Sequence, residues 1–364
     1  MSAAYGDRDV REIRDDPDRD EYRTLLTSRG LSVPEGSDLV LGLYEGERLA
    51  AAGSLVGNVI QGLATARETE GEGSAAVLVT ALLKAAADRG LGRVAVFTKP
   101  PEAAVFEGLG FRRLAVAERP ATGLGAALLE WGSPGIEDWK ADLARRAEGR
   151  PRPSGVVVVN CNPFTRGHQA LLEWAASESS WVHVLVVEED RSLFPFPVRL
   201  DLVRKGTTHI RNLDVHPGGP YVISSATFPT YFTRPRPGSP DDAAAELHAA
   251  LDLEVFRTHV APVLGAVERF VGTEPYCPTT STYNRLMREI LPAPRPDSPA
   301  LEIRELPRVE RDGAAVSASR VRDLIRAGRF EEIRTLVPET TWDWLRSPGA
   351  APVLERIRAS DTRH

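Results

Sequence analysis

The chain has 364 residues, of which 42% are hydrophobic and 26% are charged, a composition typical of a globular protein with two or three domains. Its net charge of −6 excludes a sequence-wide basic surface for nucleic acid. No apolar run approaches the roughly 18 residues needed to span a bilayer. The N-terminus lacks a hydrophobic signal region, and the two cysteines, Cys161 and Cys277, have no metal-ligand spacing. We therefore expect a cytoplasmic α/β protein without a disulfide framework.

The first third of the chain predicts a mixed α+β domain. Residues 1 to about 37 are charged and contain one predicted helix near Asp20–Arg29. After them, alternating apolar residues and glycine turns predict further strands and helices. The predicted strands are Leu39–Tyr44, Arg48–Leu55, Val59–Ala64, Val94–Phe97 and Leu114–Val116, and the predicted helices are Ser74–Arg89 and Pro100–Leu109.

This order of elements resembles the GNAT acyltransferase fold, in which a glycine loop at a helix N-terminus holds the pyrophosphate of coenzyme A. Leu109-Gly-Phe111 matches the turn that follows the family's short helix. The loop Glu68-Thr-Glu-Gly-Glu-Gly73 keeps the glycines but places Glu68 where the family has a basic or amide residue. Its carboxylates oppose pyrophosphate binding, and Arg67 offsets only part of their charge. The resemblance implies either a coenzyme A site or a domain kept for structure or for docking a carrier protein.

A proline- and glycine-rich segment predicts the boundary between two domains. A charged helix over Ile136–Glu148 is followed by the linker Gly149-Arg-Pro-Arg-Pro-Ser-Gly155. We therefore expect a GNAT-like domain over residues 1–131, a helix and linker over 132–154, a second domain over 155–346, and a tail over 347–364.

The second domain alternates strands and helices, which predicts a parallel, doubly wound sheet with ligands beyond the strand C-termini. The predicted strands are Val156–Val159, Val182–Val187, Tyr221–Ser224, Arg269–Val271 and Leu301–Leu306. The predicted helices are those beginning at His168, Pro197–Ile210, Asp241–Leu251, Leu253–Val260, Asn284–Ile290 and the helices from Ser319 onward.

Two motifs in this domain are suited to bind phosphate. In the first, the strand Val156–Val159 turns through a polar segment into a helix with Gly167 and His168 in its first turn. Backbone N–H groups at a helix N-terminus attract anions. In the second motif, Ser319 is the expected N-cap, and Ser317 and Arg322 lie at the same helix start. Taken alone, this second motif is equally explained by a capped helix with a solvated arginine.

Together the two motifs resemble those of nucleotidyltransferases, in which (His/Thr)-x-Gly-His and Ser-x-Ser/Thr-x-x-Arg hold a triphosphate from opposite sides. The resemblance is closest to the citrate lyase ligase family and extends over nearly the whole chain. Its order, a GNAT-like domain followed by a Rossmann-like nucleotidyltransferase domain, is also the order of that family. The segments that carry it are Phe97–Pro100, Asn160–His168, Val187–Phe196, Arg199–Gly206, Ser225–Phe232, Val271–Tyr276, Tyr283-Asn284 and Val316–Arg322.

This resemblance implies an AMP-forming ligase that uses ATP and Mg²⁺. Acetate and ATP would give acetyl-adenylate and pyrophosphate. The acetyl group would then pass to the thiol of the CoA-like prosthetic group on the citrate lyase acyl carrier protein, which activates that lyase. The sequence departs from the family in the acidic loop around Glu70 and in Cys161, where a small residue such as alanine is expected.

The resemblance also assigns roles to individual residues. His168 is expected to contact the ATP phosphates and stabilise the transition state, with Lys205 and Arg322 as further catalytic residues. The expected nucleotide ligands are Asn162, Phe164, Thr165, Gly167, His168, Ser317, Ser319 and Arg322. Each has a plainer alternative as a cap, turn or packing residue.

Several further residues have weaker assignments. Arg199 is a candidate for the phosphates, and Glu188, Glu189 and Asp190 are candidates for ribose or Mg²⁺. The segment Ser225–Tyr231 is a candidate acetate pocket, with Thr227, Thr230 or Tyr231 as donors. Cys161 and Cys277 are interpreted as unreactive thiols.

Two other functions remain open from the sequence. One is an adenylyltransferase that acts on a phosphate ester, of the pantetheine-phosphate or nicotinamide-mononucleotide type. The other is a non-enzymatic scaffold that docks the lyase complex.

Overall fold

The computed structural model describes residues 8–71, 73–119, 123–189, 191–228, 240–274, 277–295, 298–311 and 314–360. The chain divides into two compact units, Met1–Asp138 and Trp139–His364. This division falls inside a helix rather than in the proline-rich linker, and the domain boundaries stated above stay predictions.

The first unit contains one seven-stranded sheet. Its strands are β1 (Arg8–Glu12), β2 (Leu39–Glu45), β3 (Arg48–Val56), β4 (Val59–Thr65), β5 (Arg93–Thr98), β6 (Arg112–Arg119) and β7 (Leu124–Gly132). The sheet order is β1-β2-β3-β4-β5-β7-β6. All neighbours are antiparallel except β4 and β5, which are parallel and pair through only two residues of each strand. This mixed sheet confirms the α+β arrangement expected for the N-terminal part.

Three helices cover the sheet of the first unit: α1 (Asp16–Ser28), α2 (Ser74–Asp88) and α3 (Ala103–Gly108). Helix α2 buries Leu78, Val79 and Leu82 against the strands, in one core with Leu43 and Val96. The sequence analysis did not predict β1 or β7. Strand β7 begins with Leu124-Gly-Ala-Ala, whose small residues have weak strand propensity, so its pairing partners rather than its own sequence determine it.

The second unit contains a parallel sheet of β8 (Ser154–Val159), β9 (Val182–Val186), β10 (Leu213–Pro217), β11 (Ala266–Gly272) and β12 (Glu302–Leu306), with the short pair β13 (Glu310–Arg311) and β14 (Ala314–Ala315). The order β10-β9-β8-β11-β12 is that of a doubly wound sheet, in which the chain reverses direction between β8 and β11. The predicted Rossmann-like fold class is therefore confirmed. Its ligand site is expected beyond the C-terminal ends of β8 and β11.

The helices of this unit flank both faces of the sheet. They are α4 (Ile136–Arg146, which spans the division between the units), α5 (Arg166–Glu178), α6 (Phe196–Gly206), α7 (Pro240–Val255), α8 (Ala261–Leu264), α9 (Pro278–Ile290), α10 (Ala318–Arg326), α11 (Phe330–Ile333), α12 (Glu339–Leu345) and α13 (Ala351–Ala359). Where two helices were predicted over Asp241–Val260, one helix continues into a π-helical turn at Phe256–Val260.

The third parallel strand is Leu213–Pro217, so the prediction of a strand at Tyr221–Ser224 was wrong. The observed strand carries Asp214 and His216 and ends at Pro217, a pattern that an edge strand tolerates. Val222 and Ile223 are apolar because they pack into the core from an irregular turn. The short apolar run at Val222 and Ile223 therefore indicated burial correctly but did not indicate a strand.

Candidate active site

A cavity of about 320 Å³ lies at the C-terminal edge of the parallel sheet. Its walls come from the ends of β8, β11 and β12 and from the first turns of α5 and α10. The structure brings both sequence motifs to this cavity, where the lining includes Asn162, Thr165, Gly167, His168, Ser317, Ser319 and Arg322. Residues separated by about 150 positions thus share one site.

Thr165 and His168 form a reciprocal cap at the start of α5. The Thr165 hydroxyl accepts the His168 backbone N–H at 3.4 Å, and the Thr165 backbone N–H donates to His168 Nδ1 at 3.1 Å. Because Nδ1 accepts a hydrogen bond from an amide, the neutral ring carries its proton on Nε2. The cap therefore fixes both the orientation and the tautomer of the imidazole.

His168 is neutral at physiological pH. Burial lowers the pKa of His168 to about 4, and the positive charges of Arg308 and Arg322 lower it further in the same direction. A neutral imidazole with an Nε2–H group can donate a hydrogen bond to a phosphate oxygen. It contributes a dipole and not a full charge, so the guanidinium groups supply the charge of the site.

The two motifs touch through their backbones. A Cβ at Gly167 would lie 2.8 Å from the carbonyl oxygen of Val316, a distance that real side chains do not reach. The Arg322 guanidinium is buried and donates to the backbone carbonyl of Asn162. We expected Gly167 to leave space for phosphate, whereas the structure shows that it also leaves space for the second motif. The first turns of α5 and α10 are therefore held at contact distance.

The N-cap of α10 lies two residues earlier in the chain than expected. Ser317, and not Ser319, is the N-cap of α10, because its extended backbone lets its hydroxyl accept the Arg320 N–H at 3.2 Å. Ser319 lies inside the first turn, and the two hydroxyl oxygens are 3.1 Å apart. Both serines still line the cavity.

Asn162 offers a donor to a ligand. Its Oδ1 accepts the Phe194 backbone N–H at 3.0 Å, which orients the amide. Its Nδ2 is buried and has no hydrogen-bond partner among the described residues. An unpaired buried N–H group is costly, and a ligand oxygen in the cavity would remove that cost.

Phe164 and Lys205 do not line the cavity. Phe164 is fully buried behind it, with its ring stacked 6.1 Å from that of His168, so it supports the imidazole from below. Lys205 is exposed at the end of α6 and pairs with Asp201 at 2.7 Å. The described geometry thus gives Lys205 no contact with the site, and its predicted catalytic role has no geometric support.

Arg199 is a structural residue rather than a phosphate ligand. It is completely buried. It donates to the backbone carbonyls of Phe194, Asn160, Val187 and Glu189 at distances between 2.6 and 3.1 Å. These bonds tie the loop after β8 to the loop after β9, and this use of its donors corrects the expectation that it binds phosphate.

Of the other weaker candidates, Glu189 and Thr227 make hydrogen bonds within the protein and do not line the cavity. The Glu189 carboxylate accepts the Ser225 backbone N–H at 2.7 Å, and the buried Thr227 hydroxyl donates to Asp252 at 2.7 Å. Glu188 is exposed and does not line the cavity. Asp190, Thr230 and Tyr231 lie outside the described residues.

Cys161 lines the cavity but is not suited to be a nucleophile. It is 1% exposed, and burial raises the pKa of its thiol well above the usual range. Its φ of 52° is in the left-handed region, which a non-glycine residue rarely adopts. These features support the interpretation of Cys161 as an unreactive residue of the turn.

Sequence reasoning missed two arginines that line the cavity, Arg269 and Arg308. Arg308 follows β12 and pairs with Glu274, which follows β11, at 2.5 Å. Arg269 is buried within β11. Neither belongs to a recognisable motif. The signal that could have found them is their position at the C-terminal half or end of a parallel strand, where ligands of this fold bind.

One carboxylate lines the described part of the cavity, that of Glu274. It is paired with Arg308 and also accepts the Cys277 backbone N–H at 3.1 Å. A magnesium ion in this site would therefore rely on phosphate oxygens and water, because binding by Glu274 would require its carboxylate to leave Arg308.

A separate His183, Asp214 and His216 cluster has atoms close enough to ligate a metal. Its carboxylate is already paired with Arg150 at 2.6 Å and accepts Trp181 Nε1–H at 3.1 Å. The two imidazoles are hydrogen-bonded to each other at 3.1 Å. A dication would have to displace a guanidinium, so we assign this cluster to packing.

Comparison with known proteins identifies the family. The family model "Citrate lyase ligase C-terminal domain" matches residues 154–345. The chain is 39% identical to the [Citrate [pro-3S]-lyase] ligase of Klebsiella pneumoniae over 92% of this chain and 95% of that protein. It is 35% identical to the protein of the same name in Escherichia coli over 90% of each chain.

The chain belongs to the citrate lyase ligase family. It is accordingly an enzyme of the ligase class. The motif residues Asn162, Thr165, Gly167, His168, Ser317, Ser319 and Arg322 all lie within the part of the chain that the family model covers.

Several solved structures are similar to the N-terminal part of this family member. One is the N-acyl amino acid synthase FeeM from uncultured soil microbes, with a TM-score of 0.30 and 17% identity over 37% of this chain and 93% of that chain. Another is the IAA acetyltransferase of Bacillus cereus, with a TM-score of 0.27 and 15% identity over 34% of this chain and 99% of that chain.

The first unit of this ligase has its own glycine loop before α2. Gly71 and Gly73 have φ values of 85° and 78°, and Gly73 is the N-cap of the helix. Neither glycine has a neighbouring atom where a Cβ would lie, so they are required by conformation and not by space. Glu68 pairs with Arg48 at 2.7 Å, and Glu70 pairs with Arg29 at 3.1 Å.

Among the described residues, no helix combines the length and the apolar character required to cross a bilayer.

Proposed function

We propose that this ligase acetylates the thiol of the CoA-like prosthetic group on the citrate lyase acyl carrier protein, in its deacetylated form, and thereby activates citrate lyase. ATP and acetate are the other substrates, and AMP and pyrophosphate are the other products. The observation that carries this proposal is the meeting of the two phosphate-binding motifs in one cavity of a citrate lyase ligase family member.

In the first step, a carboxylate oxygen of acetate attacks the α-phosphorus of ATP. The bond from the α-phosphorus to the bridging oxygen breaks, and pyrophosphate leaves. Acetate is already ionised, so this step needs no general base. Catalysis then consists of aligning the two substrates and stabilising the charge that develops on the phosphate oxygens.

The residues of the cavity match these needs. His168 Nε2–H donates to the phosphate whose charge increases, and its orientation is fixed by Thr165. Arg322 and Arg308 supply positive charge, and the first turns of α5 and α10 supply backbone N–H groups. Ser317, Ser319 and the unpaired Nδ2 of Asn162 are further donors to ATP.

Magnesium enters with the nucleotide in this proposal. It would neutralise part of the triphosphate charge and take its ligands mainly from phosphate oxygens and water, since the Glu274 carboxylate is paired with Arg308.

In the second step, the sulfur of the carrier thiol attacks the acetyl carbonyl carbon, AMP leaves, and the thiol proton passes to solvent. Cys161 is not used as an intermediate acceptor, because its buried thiol stays protonated. We place this chemistry in the cytoplasm, which the two unpaired cysteines support.

The two other functions are less well supported. An adenylyltransferase acting on a phosphate ester shares the ATP-binding motifs but is not favoured by membership of this family. A scaffold without activity would not need a histidine held in one tautomer beside two arginines.

A pyrophosphate-release assay with ATP, Mg²⁺ and either acetate or a phosphate ester separates the three functions. Acetate-dependent release, followed by acetylation of a deacetylated acyl carrier subunit, is the expected result. Release that depends on pantetheine phosphate or nicotinamide mononucleotide would overturn the proposal. So would the absence of release with every acceptor.

A further inference from the structure

Arg269 is a buried arginine whose donors are only partly used. It lies on the central strand β11 between Val156 of β8 and Ile303 of β12, and its exposed fraction is 2%. Its Nη2 donates to the Tyr283 hydroxyl at 3.2 Å. Its Nε and Nη1 have no hydrogen-bond partner among the described residues. A buried guanidinium with two unpaired nitrogens is unfavourable unless a ligand completes its bonding.

The nearest acidic group does not account for this arginine. The Asp252 carboxylate accepts the Ile223 backbone N–H at 2.8 Å and the Thr227 hydroxyl at 2.7 Å, and the Tyr283 hydroxyl donates to its other oxygen at 2.6 Å. Tyr283 thus links Asp252 to Arg269 and holds the guanidinium from one side. The Phe256 ring, 4.1 Å from the guanidinium carbon, holds it from another.

Arg269 lines the same cavity as His168, from the opposite face of the sheet. It is in register with Val156, and Val158, which lines the cavity, is on that same face. Phe164 and Leu172, which pack behind His168, belong to the core on the other face. The cavity therefore passes over the edge of the sheet, with a phosphate-binding part at α5 and α10 and a second part at Arg269.

The second part combines one cationic group with apolar walls. Val158, Ile223, Val271 and Met287 line it together with Arg269 and Tyr283. This combination suits a short carboxylic acid, whose carboxylate binds the guanidinium and whose alkyl group contacts the apolar side chains.

We propose that Arg269 binds the carboxylate of the acid substrate and that Val271 and its apolar neighbours limit the length of its alkyl chain. This proposal rests on the proposed function, because it assumes that the acid and ATP share one cavity. It assigns the acetate subsite to β11 and α9, and not to the segment Ser225–Tyr231.

The test uses the full-length protein with Arg269→Gln and Arg269→Lys, and Arg304→Gln as a matched control. Arg304 lies on the neighbouring strand β12, is ion-paired with Glu268 at 3.1 Å, and does not line the cavity. Binding of ¹³C-acetate is measured by NMR with a non-hydrolysable ATP analogue present. The Kd of the analogue, the KM values for acetate and ATP, and the melting temperature are measured separately.

We expect Arg269→Gln to raise the Kd and the KM for acetate by about 10- to 100-fold, with the nucleotide values within about twofold. Arg269→Lys should fall between Gln and the wild type, and Arg304→Gln should match the wild type. An unchanged acetate Kd in folded Arg269→Gln would overturn the proposal. An equal loss of nucleotide and acetate binding would also overturn it, because Arg269 would then belong to the nucleotide site.

Val271→Ala tests the same subsite with a smaller disturbance of the fold. It should shift the preference from acetate towards propionate by about 3- to 10-fold, whereas an unchanged preference would contradict the assignment of the apolar wall. If acetate binds through Arg269 but pyrophosphate is never released, the proposed function fails and this inference stands. If the wild-type protein binds no short carboxylate, this inference fails whatever the activity.

Discussion

Helix α2 of the first unit begins after a glycine-containing turn and helix α5 of the second unit has Gly167 in its first turn, but the electrostatic surroundings of the two helix starts differ. The turn before α2 carries Glu68 and Glu70, each paired with an arginine. The turn before α5 faces Arg308 and Arg322, which lower the pKa of His168. A helix N-terminus therefore lies beside negatively charged side chains in the first unit and beside positively charged side chains in the second unit.

This difference shows that a helix N-terminus alone does not determine an anion site. Its partial positive charge contributes roughly 0.3–1 kcal/mol in an exposed position, which neighbouring carboxylates can cancel. In the second unit two helix N-termini and three guanidinium groups line one cavity. This contrast supports the proposal that ATP binds in the second unit, and we expect weak binding of coenzyme A at α2.

Replacing His168 should abolish most of the activity of the candidate site at α5 and α10. We expect His168→Ala to reduce acetate-dependent pyrophosphate release by at least about 10²- to 10³-fold, because the lost donor acts on charge that develops in the transition state. The melting temperature should fall by only about 2–4 °C, because the His168 half of the α5 cap is lost. His209→Ala is the matched control, since His209 is exposed on the same unit and paired with Glu173. Wild-type turnover in His168→Ala would contradict the assignment of the active site to this cavity.

Gly167→Ala should separate the two motifs. The added Cβ would lie 2.8 Å from the Val316 carbonyl oxygen, so one helix start must move. We expect kcat/KM to fall by about 10- to 100-fold, together with about 1–3 kcal/mol of unfolding free energy. Gly108→Ala, where a Cβ meets nothing within 4 Å, serves as the control. Equal activity in the two variants would show that contact between the motifs is not required.

Acidification should distinguish the units by stability. All seven histidines lie after residue 139, and the pKa values of His168, His183, His216 and His248 are each lowered to about 4, mainly by burial. Their folded-state pKa values lie below the unfolded value of about 6.5. Stability is therefore complete above that pH and falls as the pH drops from about 6.5 towards 4, because the unfolded chain takes up the protons.

The expected loss at pH 5 is about 1–2 kcal/mol for each of these histidines. Hydrogen exchange followed by peptide mass spectrometry between pH 7 and pH 5 would check it. After correction for the intrinsic exchange rate, peptides of the second unit should lose protection before those of the first. Earlier loss in the first unit would contradict the prediction.

Removing the acidic charges beside the start of α2 should make this helix start a better anion site, and so more similar to the start of α5. We expect the double change Glu68→Gln and Glu70→Gln to strengthen coenzyme A binding by about 3- to 10-fold at low ionic strength, and less at high salt. Isothermal titration calorimetry at two salt concentrations measures this. Tight binding of coenzyme A by the wild-type protein would invalidate the comparison itself.

The smallest effect is expected for Lys205→Ala. Its ammonium group is exposed and pairs with Asp201 one helical turn away, an arrangement worth roughly 0.3–0.5 kcal/mol. Pyrophosphate release should stay within about twofold of the wild type. A loss of 10-fold or more would restore Lys205 as a catalytic residue and indicate movement of α6 during the reaction.

Local sequence signals predicted most of the fold. The Val156–Val159 run, the α5 cap and the glycine-terminated helix before Gly90 are each encoded within about 15 residues, and each is found in the structure. The strands that were missed or misplaced, Arg8–Glu12, Leu124–Gly132 and Leu213–Pro217, are defined by their pairing with distant strands. Their own residues are too small or too polar to give a strand pattern.

The same distinction applies to the candidate site. The two motifs are recognisable because a helix start needs particular residues at fixed spacing. Arg308 and Arg269 reach the cavity only through the order of the parallel strands. Arg199 has the residue type of a phosphate ligand, yet its three side-chain nitrogens make five hydrogen bonds to loop carbonyls and the Asn160 side chain. The spacing of residues in the sequence could not distinguish an arginine that lines the cavity from one that only supports the loops.

The contact between Gly167 and the Val316 carbonyl has a consequence for heat inactivation. One half of the candidate site belongs to the central sheet, and the other belongs to the small C-terminal helices that pack around Ile325 and Trp342. Such peripheral helices open with less free energy than a central sheet. Catalysis should therefore cease at a temperature where circular dichroism still reports an intact sheet, and cooling from that temperature should restore it.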